Sequence, residues 1–147
     1  MSLKQWADNG WLKPHKTSRQ EIENLLGIVR RDLDDASSGS ISDDWRFGIA
    51  YNSALKLCTI LLYAEGYRAT QNLAHYRTLQ ALPLILGEER KTDADYLDTC
   101  RTKRNTVEYD YAGGATNEEA EELIAFARDL HSDVVEWLQA SRPELLP

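Results

Sequence analysis

Apolar residues recur at helical spacing along most of this chain, and that periodicity limits the possible folds more than any other feature. In successive segments the apolar positions fall three or four residues apart, as on one face of an α-helix. No segment shows sustained alternation of apolar and polar residues between turn signals, so no strand is predicted. We therefore predict an all-α fold, an antiparallel up-and-down bundle of four long helices plus a kinked or short additional helix.

Capping signals indicate where three of the long helices begin. Ser18 with Glu21, and Thr116 with Glu119, match the capping box in which a hydroxyl and a carboxylate bond each other's backbone N–H. Ser42 or Asp43 is expected to cap the helix over 43–65. The predicted inward face of that helix consists of Trp45, Ile49, Ala50, Ala54, Leu57, Cys58, Leu61 and Leu62.

The other predicted boundaries are less regular. A helix is expected to start near Asn72 or His75 and to be kinked by Pro83. Asp93 is expected to cap the next long helix, which Gly113 and Gly114 end. The last helix is expected to run to about residue 140. Residues 1–17 are predicted to be an N-terminal extension or short helix, and residues 18–147 the bundle.

Composition and charge exclude several classes of protein. The 147 residues are 42% hydrophobic and 28% charged, which is ordinary for a globular domain. A net charge of −7 argues against coating duplex DNA, because such domains are usually basic. Cys58 and Cys100 form no C-x-x-C pair, which favours a reduced, cytoplasmic protein without a zinc site. The apolar run over 57–63 is too short to cross a membrane.

Common catalytic motifs are absent from the sequence, and no cofactor or metal is expected. There is no Gly-rich phosphate loop, nucleophile elbow, H-E-x-x-H or paired E-x-x-H motif. His131 falls on an inward stripe, where a hydrogen-bonded structural role is favoured over catalysis. His75 could cap its helix or face the next long helix across a cleft. Trp45 and Trp137 are expected in the core rather than stacked on bases.

One short polar stretch, RTKRNTVEYDY over 101–111, is the candidate functional site. At about 100° per residue, Arg104 falls inside an apolar stripe, and an arginine is rarely buried without a partner. Arg104 could pair with Glu108 four residues on, as an ordinary helix end would. Its side chain could instead project into a cleft or contact a partner chain. The sequence leaves both interpretations open.

The pattern R-N-x-x-x-Y-x-Y in this stretch resembles the signature of the HEPN superfamily. Arg104 and Asn105 match its first two positions, Tyr109 stands where a histidine is expected, and Tyr111 matches a tyrosine of the toxin members. The segments FGIAYNSALKL to LLYAEGYR and LAHYRTLQAL are also similar to HEPN helices, so the resemblance covers roughly residues 18 to 140.

The resemblance implies a small helical bundle that forms a homodimer. It implies that Arg104 and Tyr109 occupy the catalytic positions of a ribonuclease. Because tyrosine titrates near pH 10, it is a poor base at neutral pH, and catalysis is expected to be weak or lost. Binding of a nucleotide or RNA is still expected. The predicted ligand-binding residues are Arg101, Lys103, Asn105, Glu108, Tyr111 and His75.

Two other functions remain open from the sequence. One is an active ribonuclease toxin of a toxin–antitoxin pair, which would use Arg104, Tyr109 and His75. The other is a structural interaction protein without a ligand, in which Arg104 pairs with Glu108 inside a dimer interface. An antitoxin or a nucleotidyltransferase is the expected protein partner of the ligand-binding module and of the ribonuclease toxin, but not of the structural protein.

Overall fold

The chain is mostly helical, as expected for an all-α protein. A computed structural model describes residues 1–109 and 113–147, except for the side chains of 107–109. Its helices are α1 (Leu3–Asp8), α2 (Arg19–Ala36), α3 (Asp43–Ala64), α4 (Ala74–Gln80), α5 (Leu82–Leu86), α6 (Lys91–Tyr109) and α7 (Asn117–Ser141). Short 3₁₀ turns cover Glu88–Arg90 and Pro143–Leu145.

Helix α3 is the centre of the fold. It packs against α2, α7 and α6, and also contacts α4 and α5. Because neighbours surround it, apolar side chains are buried on most of its circumference. α3 is long and apolar enough to cross a membrane, but two-thirds of its most apolar window is buried within the protein. Burial at the centre of the fold accounts for that apolar composition.

Local capping chemistry sets the helix starts much as the sequence predicts. Thr116 and Glu119 form the complete capping box, with bonds of 3.0 and 2.9 Å. Ser42 caps α3 by accepting from the N–H of Trp45. Ser18 caps α2, but the Glu21 carboxylate accepts bonds from Thr17 and pairs with His15 instead of closing the box.

The prediction that Trp45 lies in the core is wrong. Its side chain is 60% exposed, whereas Phe47 in the next half-turn is buried. Trp45 precedes Asn52 by seven residues, so both lie on the same, incompletely covered side of α3. On a helix that is apolar nearly all round, apolar character does not reveal which side faces solvent.

The expectation of a fold without strands is also wrong. β1 (Leu12–Pro14) pairs antiparallel with β2 (Tyr67–Ala69). The ribbon ties the N-terminal segment to the turn after α3. Trp6 and Leu12 are buried in a small cluster with Leu62 and Ala81, so the first residues pack on the body of the protein.

The region between β2 and α6 differs in detail from the prediction. Instead of one kinked helix there are two short ones, and Pro83 lies in the first turn of α5, where a missing N–H costs nothing. α6 begins at Lys91 rather than after Asp93. Asp93 lies in its first turn and pairs with Arg90.

Candidate functional site

Arg104 lies on the side of α6 that faces α3. Cys100 and Leu97, one and two turns earlier on this side, are buried and anchor the helix. Arg104 itself is half-buried, as its position on the apolar stripe predicts. Its guanidinium is therefore held near the protein surface by apolar packing below it.

Two side chains of α3 contact the Arg104 guanidinium. Nη2 of Arg104 donates to Oδ1 of Asn52 on α3 at 3.4 Å. Nη1 donates to Oδ1 of Asn105, the next residue on α6, at 3.5 Å. Both distances are long for hydrogen bonds. Cζ lies 5.6 Å from the ring centre of Tyr51, within the range of a cation–π contact. These contacts orient the guanidinium across the gap between α3 and α6.

A histidine and two further cations lie near the Arg104 guanidinium. His75, in the first turn of α4, is exposed. Partial burial of the ring lowers its pKa, and Arg104, Arg101 and Lys56 lower it further by charge repulsion. The imidazole is therefore mainly neutral at neutral pH. Arg101 is held by Asp98 through Nε at 2.9 Å. Three helices thus bring Arg101, Arg104, Lys56 and His75 to one place, which we call the Arg104 cleft.

Tyr51 lies beneath the Arg104 guanidinium. It is completely buried, and its hydroxyl has no hydrogen-bond partner among the described residues. Burial raises the pKa of Tyr51 far above its usual value, against the opposing effect of Arg101 and Arg104. The phenol is therefore not an acid or base at neutral pH, although its hydroxyl can donate a hydrogen bond.

The structure does not bring Lys103 to the Arg104 cleft. Its Nζ pairs with Oε2 of Glu119 on α7 at 2.9 Å, beside a small pocket that Phe47 and Tyr96 line. Asn105 is exposed and contacts Arg104. Of the predicted ligand-binding residues, the structure therefore groups Arg101, Asn105 and His75 with Arg104 and separates Lys103 from them.

The side chains of three further predicted residues lie outside the described part of the molecule. Tyr109 is the last residue of α6, but its side chain and that of Glu108 are not described, and neither is Tyr111. The chain is described again from Gly113. There the Asp44 carboxylate accepts from the N–H groups of Gly113 at 2.7 Å and Ala115 at 3.0 Å, so the start of α3 holds the approach to α7.

Sequence reasoning missed the contribution of α3 to the cleft. Asn52 and Lys56 are polar residues in the largely apolar middle of α3, at a spacing of four residues that puts both on one face. That spacing was a usable signal. It could not show that this face meets Arg104, because the two helices are about fifty residues apart in the chain.

A metal centre is not indicated in the part of the chain that the structure describes. No group of three or more histidine, cysteine, aspartate or glutamate side chains is placed there to hold an ion. Cys58 and Cys100 are both buried thiols without a disulfide. The chemistry available in the Arg104 cleft is that of cations, amides and an imidazole, which suits anions.

Comparison of the chain with protein-family models, with curated proteins and with solved structures gives no match. The likeness to the HEPN superfamily therefore depends on the residues of the R-N-x-x-x-Y-x-Y pattern and on the helical segments before it.

Proposed function

We propose that the protein is a HEPN-like module whose Arg104 cleft binds a phosphate-bearing ligand, either a nucleotide or RNA, with weak or no hydrolysis. The observation that carries the proposal is the convergence of Arg101, Arg104 and Lys56, from α3 and α6, beside the neutral His75 on a chain of net charge −7. Gathering like charges costs free energy, and a bound phosphate would offset that cost. Arginine also matches the geometry of phosphate oxygens.

We propose the same assembly and surroundings as the resemblance implies. The helices would form a four-helix antiparallel bundle, and two copies would form a homodimer that buries part of α6. The protein would act in the cytoplasm, with an antitoxin or a nucleotidyltransferase as partner. Sedimentation equilibrium tests the dimer. A species of twice the chain mass of 16.7 kDa is expected, and a monomer at micromolar concentration would contradict it.

The binding test compares two variants of neighbouring cations on α6. Arg104→Gln removes the cleft guanidinium, and Lys103→Gln removes the same charge from a side chain that faces α7. Calorimetric titration with AMP and with a single-stranded RNA hexamer should show a loss of about 1.5–3 kcal/mol for Arg104→Gln, as for a charge-assisted hydrogen bond. Lys103→Gln should bind like the wild type.

The outcomes of this titration separate the alternatives. Equal weakening by the two variants would indicate a general effect of charge rather than a site. Absence of binding by the wild type at millimolar AMP and RNA would leave the structural interaction protein as the better interpretation. Affinity should also fall with added salt, because the attraction is electrostatic.

A second candidate function, a ribonuclease, is favoured by one observation. His75 lies against Arg101 and Arg104 with a lowered pKa, so a neutral imidazole able to accept a proton stands beside a guanidinium able to hold phosphate. Incubating a labelled RNA with wild type, His75→Gln and Arg104→Gln tests this. Cleavage by the wild type that both substitutions abolish would establish the ribonuclease.

A further inference from the structure

A continuous stripe of side chains on α3 leads away from the Arg104 cleft. Every member of the stripe is exposed or half-buried, and at 100° per residue all lie within about 40° of one line. We call the following residues the α3 stripe: Trp45, Ile49, Asn52, Lys56, Thr59 and Tyr63. Asn52 and Lys56 belong to the cleft, and the stripe continues past them toward the β-ribbon.

The far end of the α3 stripe opens into a groove between the β-ribbon, α3 and α4. Its volume is about 290 Å³, and its polar lining consists of Lys13, Arg68, Thr59, Tyr63, Gln71 and Thr78. We call this space the ribbon groove. At 1.5 Å per residue, Tyr63 lies roughly 16 Å along the helix from Asn52, which is too far for one phosphate group to reach both.

Two cations face each other in the ribbon groove. Lys13 and Arg68 are direct partners across the antiparallel ribbon, so both side chains project from the same face of it. Both line the groove, and neither forms an ion pair with any described residue. Like charges directly opposite one another destabilise a β-pair. An anion between them would remove that repulsion.

The wall of the groove opposite the ribbon is held in place. The Tyr63 ring lies on the His15 ring, with centroids 4.0 Å apart. His15 is in turn fixed by a contact of 2.7 Å between its Nε2 and the Glu21 carboxylate. The Thr59 and Thr78 hydroxyls donate to carbonyls of their own helices. This wall of the groove is therefore ordered before any ligand arrives, which lowers the entropic cost of binding.

We propose that the ribbon groove is a second anion subsite, in which Lys13 and Arg68 bind a phosphate group of a ligand that extends along the α3 stripe from the Arg104 cleft. The inference rests on the proposed function, because the Arg104 cleft makes the first phosphate contact with the ligand. It narrows the ligand to a chain with several phosphates, such as a single-stranded oligonucleotide. A mononucleotide occupies the Arg104 cleft alone.

The test uses AMP and a single-stranded RNA hexamer as probes. The double variant Lys13→Gln/Arg68→Gln should bind the hexamer about tenfold more weakly and bind AMP as the wild type does. In a plot of log affinity for the hexamer against log salt concentration, the magnitude of the slope should fall by about 0.7 for each phosphate contact removed. The control Arg30→Gln/Arg31→Gln removes two exposed cations from α2 and should change neither probe's affinity.

Folding does not confound this test. Removing two like charges that face each other should leave the free energy of unfolding in urea unchanged or slightly raised. The double variant can therefore be compared with the wild type at equal folded fraction.

Each outcome has a separate meaning. If Arg104→Gln weakens both probes and the ribbon variant weakens neither, the subsite is refuted and the proposed function stands. If the ribbon variant weakens the hexamer and Arg104→Gln has no effect, Lys13 and Arg68 bind an anion, but the Arg104 cleft and the ligand path from it are refuted. If the ribbon variant weakens AMP as much as the hexamer, or if the wild type binds neither probe, the two-subsite arrangement is wrong.

Discussion

Arg46 should be the most important charged residue for stability among those described. Its side chain is 8% exposed and joins three elements. Nε donates to the carbonyl of Ala36 at the end of α2 at 2.8 Å, Nη1 to Asp43 at 3.2 Å, and Nη2 to Glu121 on α7. The bond to Glu121, reinforced by Asp43, raises the pKa of Arg46 against the effect of burial. The guanidinium therefore stays charged at every accessible pH.

The magnitude follows from the partners of Arg46. Arg46→Met keeps the apolar stem and removes all three bonds. The bond to the Ala36 carbonyl contributes about 1.5–3 kcal/mol, the pair with Asp43 about 0.3–0.5 kcal/mol, and the pair with the exposed Glu121 at most about 1 kcal/mol. Arg46→Met also removes the free-energy cost of burying a charge, which offsets part of the lost stability. We expect a net loss of about 1.5–3 kcal/mol.

Removing Glu121 should cost much less. In Glu121→Gln the guanidinium keeps Ala36 and Asp43, and the lost carboxylate was itself largely exposed. The expected loss is about 0.5–1 kcal/mol. Urea denaturation of both variants, with the exposed Glu136→Gln as the charge-matched control on α7, measures these differences. A loss below about 0.5 kcal/mol for Arg46→Met, or equal losses for Arg46→Met and Glu121→Gln, would refute this assignment.

Three further predictions follow from local features. Burial and neighbouring cations lower the pKa of His75 in the unbound protein, and a bound phosphate should raise it. Because binding then takes up a proton, calorimetry should show tighter hexamer binding as pH falls through about 6.5. The hexamer affinity of His75→Gln should change less with pH. Leu73 has a φ of 56°, a left-handed conformation that glycine adopts more readily than alanine. In urea denaturation, the free energy of unfolding of Leu73→Gly should therefore exceed that of Leu73→Ala by roughly 1 kcal/mol, and equal values would contradict the strain. Burial raises the pKa of Cys58 to about 12 and of Cys100 to about 11, so a thiol reagent should label neither in the folded protein and both in guanidinium.

The helix starts could be predicted because their causes are local. Thr116 and Glu119 are three residues apart, and their capping bonds need no other part of the chain. Ser18 shows the limit of that reasoning. Its hydroxyl caps α2 as expected, but the Glu21 carboxylate turns to His15, which approaches from the segment before the helix.

The β-ribbon could not be predicted from periodicity. Its strands are three residues long, too short to show alternation, and their pairing joins Leu12 to Ala69 across more than fifty residues. The energy of this pairing depends on packing that involves Trp6 and Leu62. No local pattern contains that information.

The sequence by itself determined the helical class, most helix boundaries and Arg104 as a candidate site residue, because periodicity and capping act over a few residues. Only the tertiary structure decided which face of α3 stays uncovered. Packing of the helices leaves Trp45 exposed, places Asn52 beside Arg104 and Lys56 near His75, and pairs Lys103 with Glu119 on α7. The physical reason is that a helix surrounded by neighbours is apolar nearly all round, so packing between distant segments, rather than hydropathy, selects its solvent-facing side.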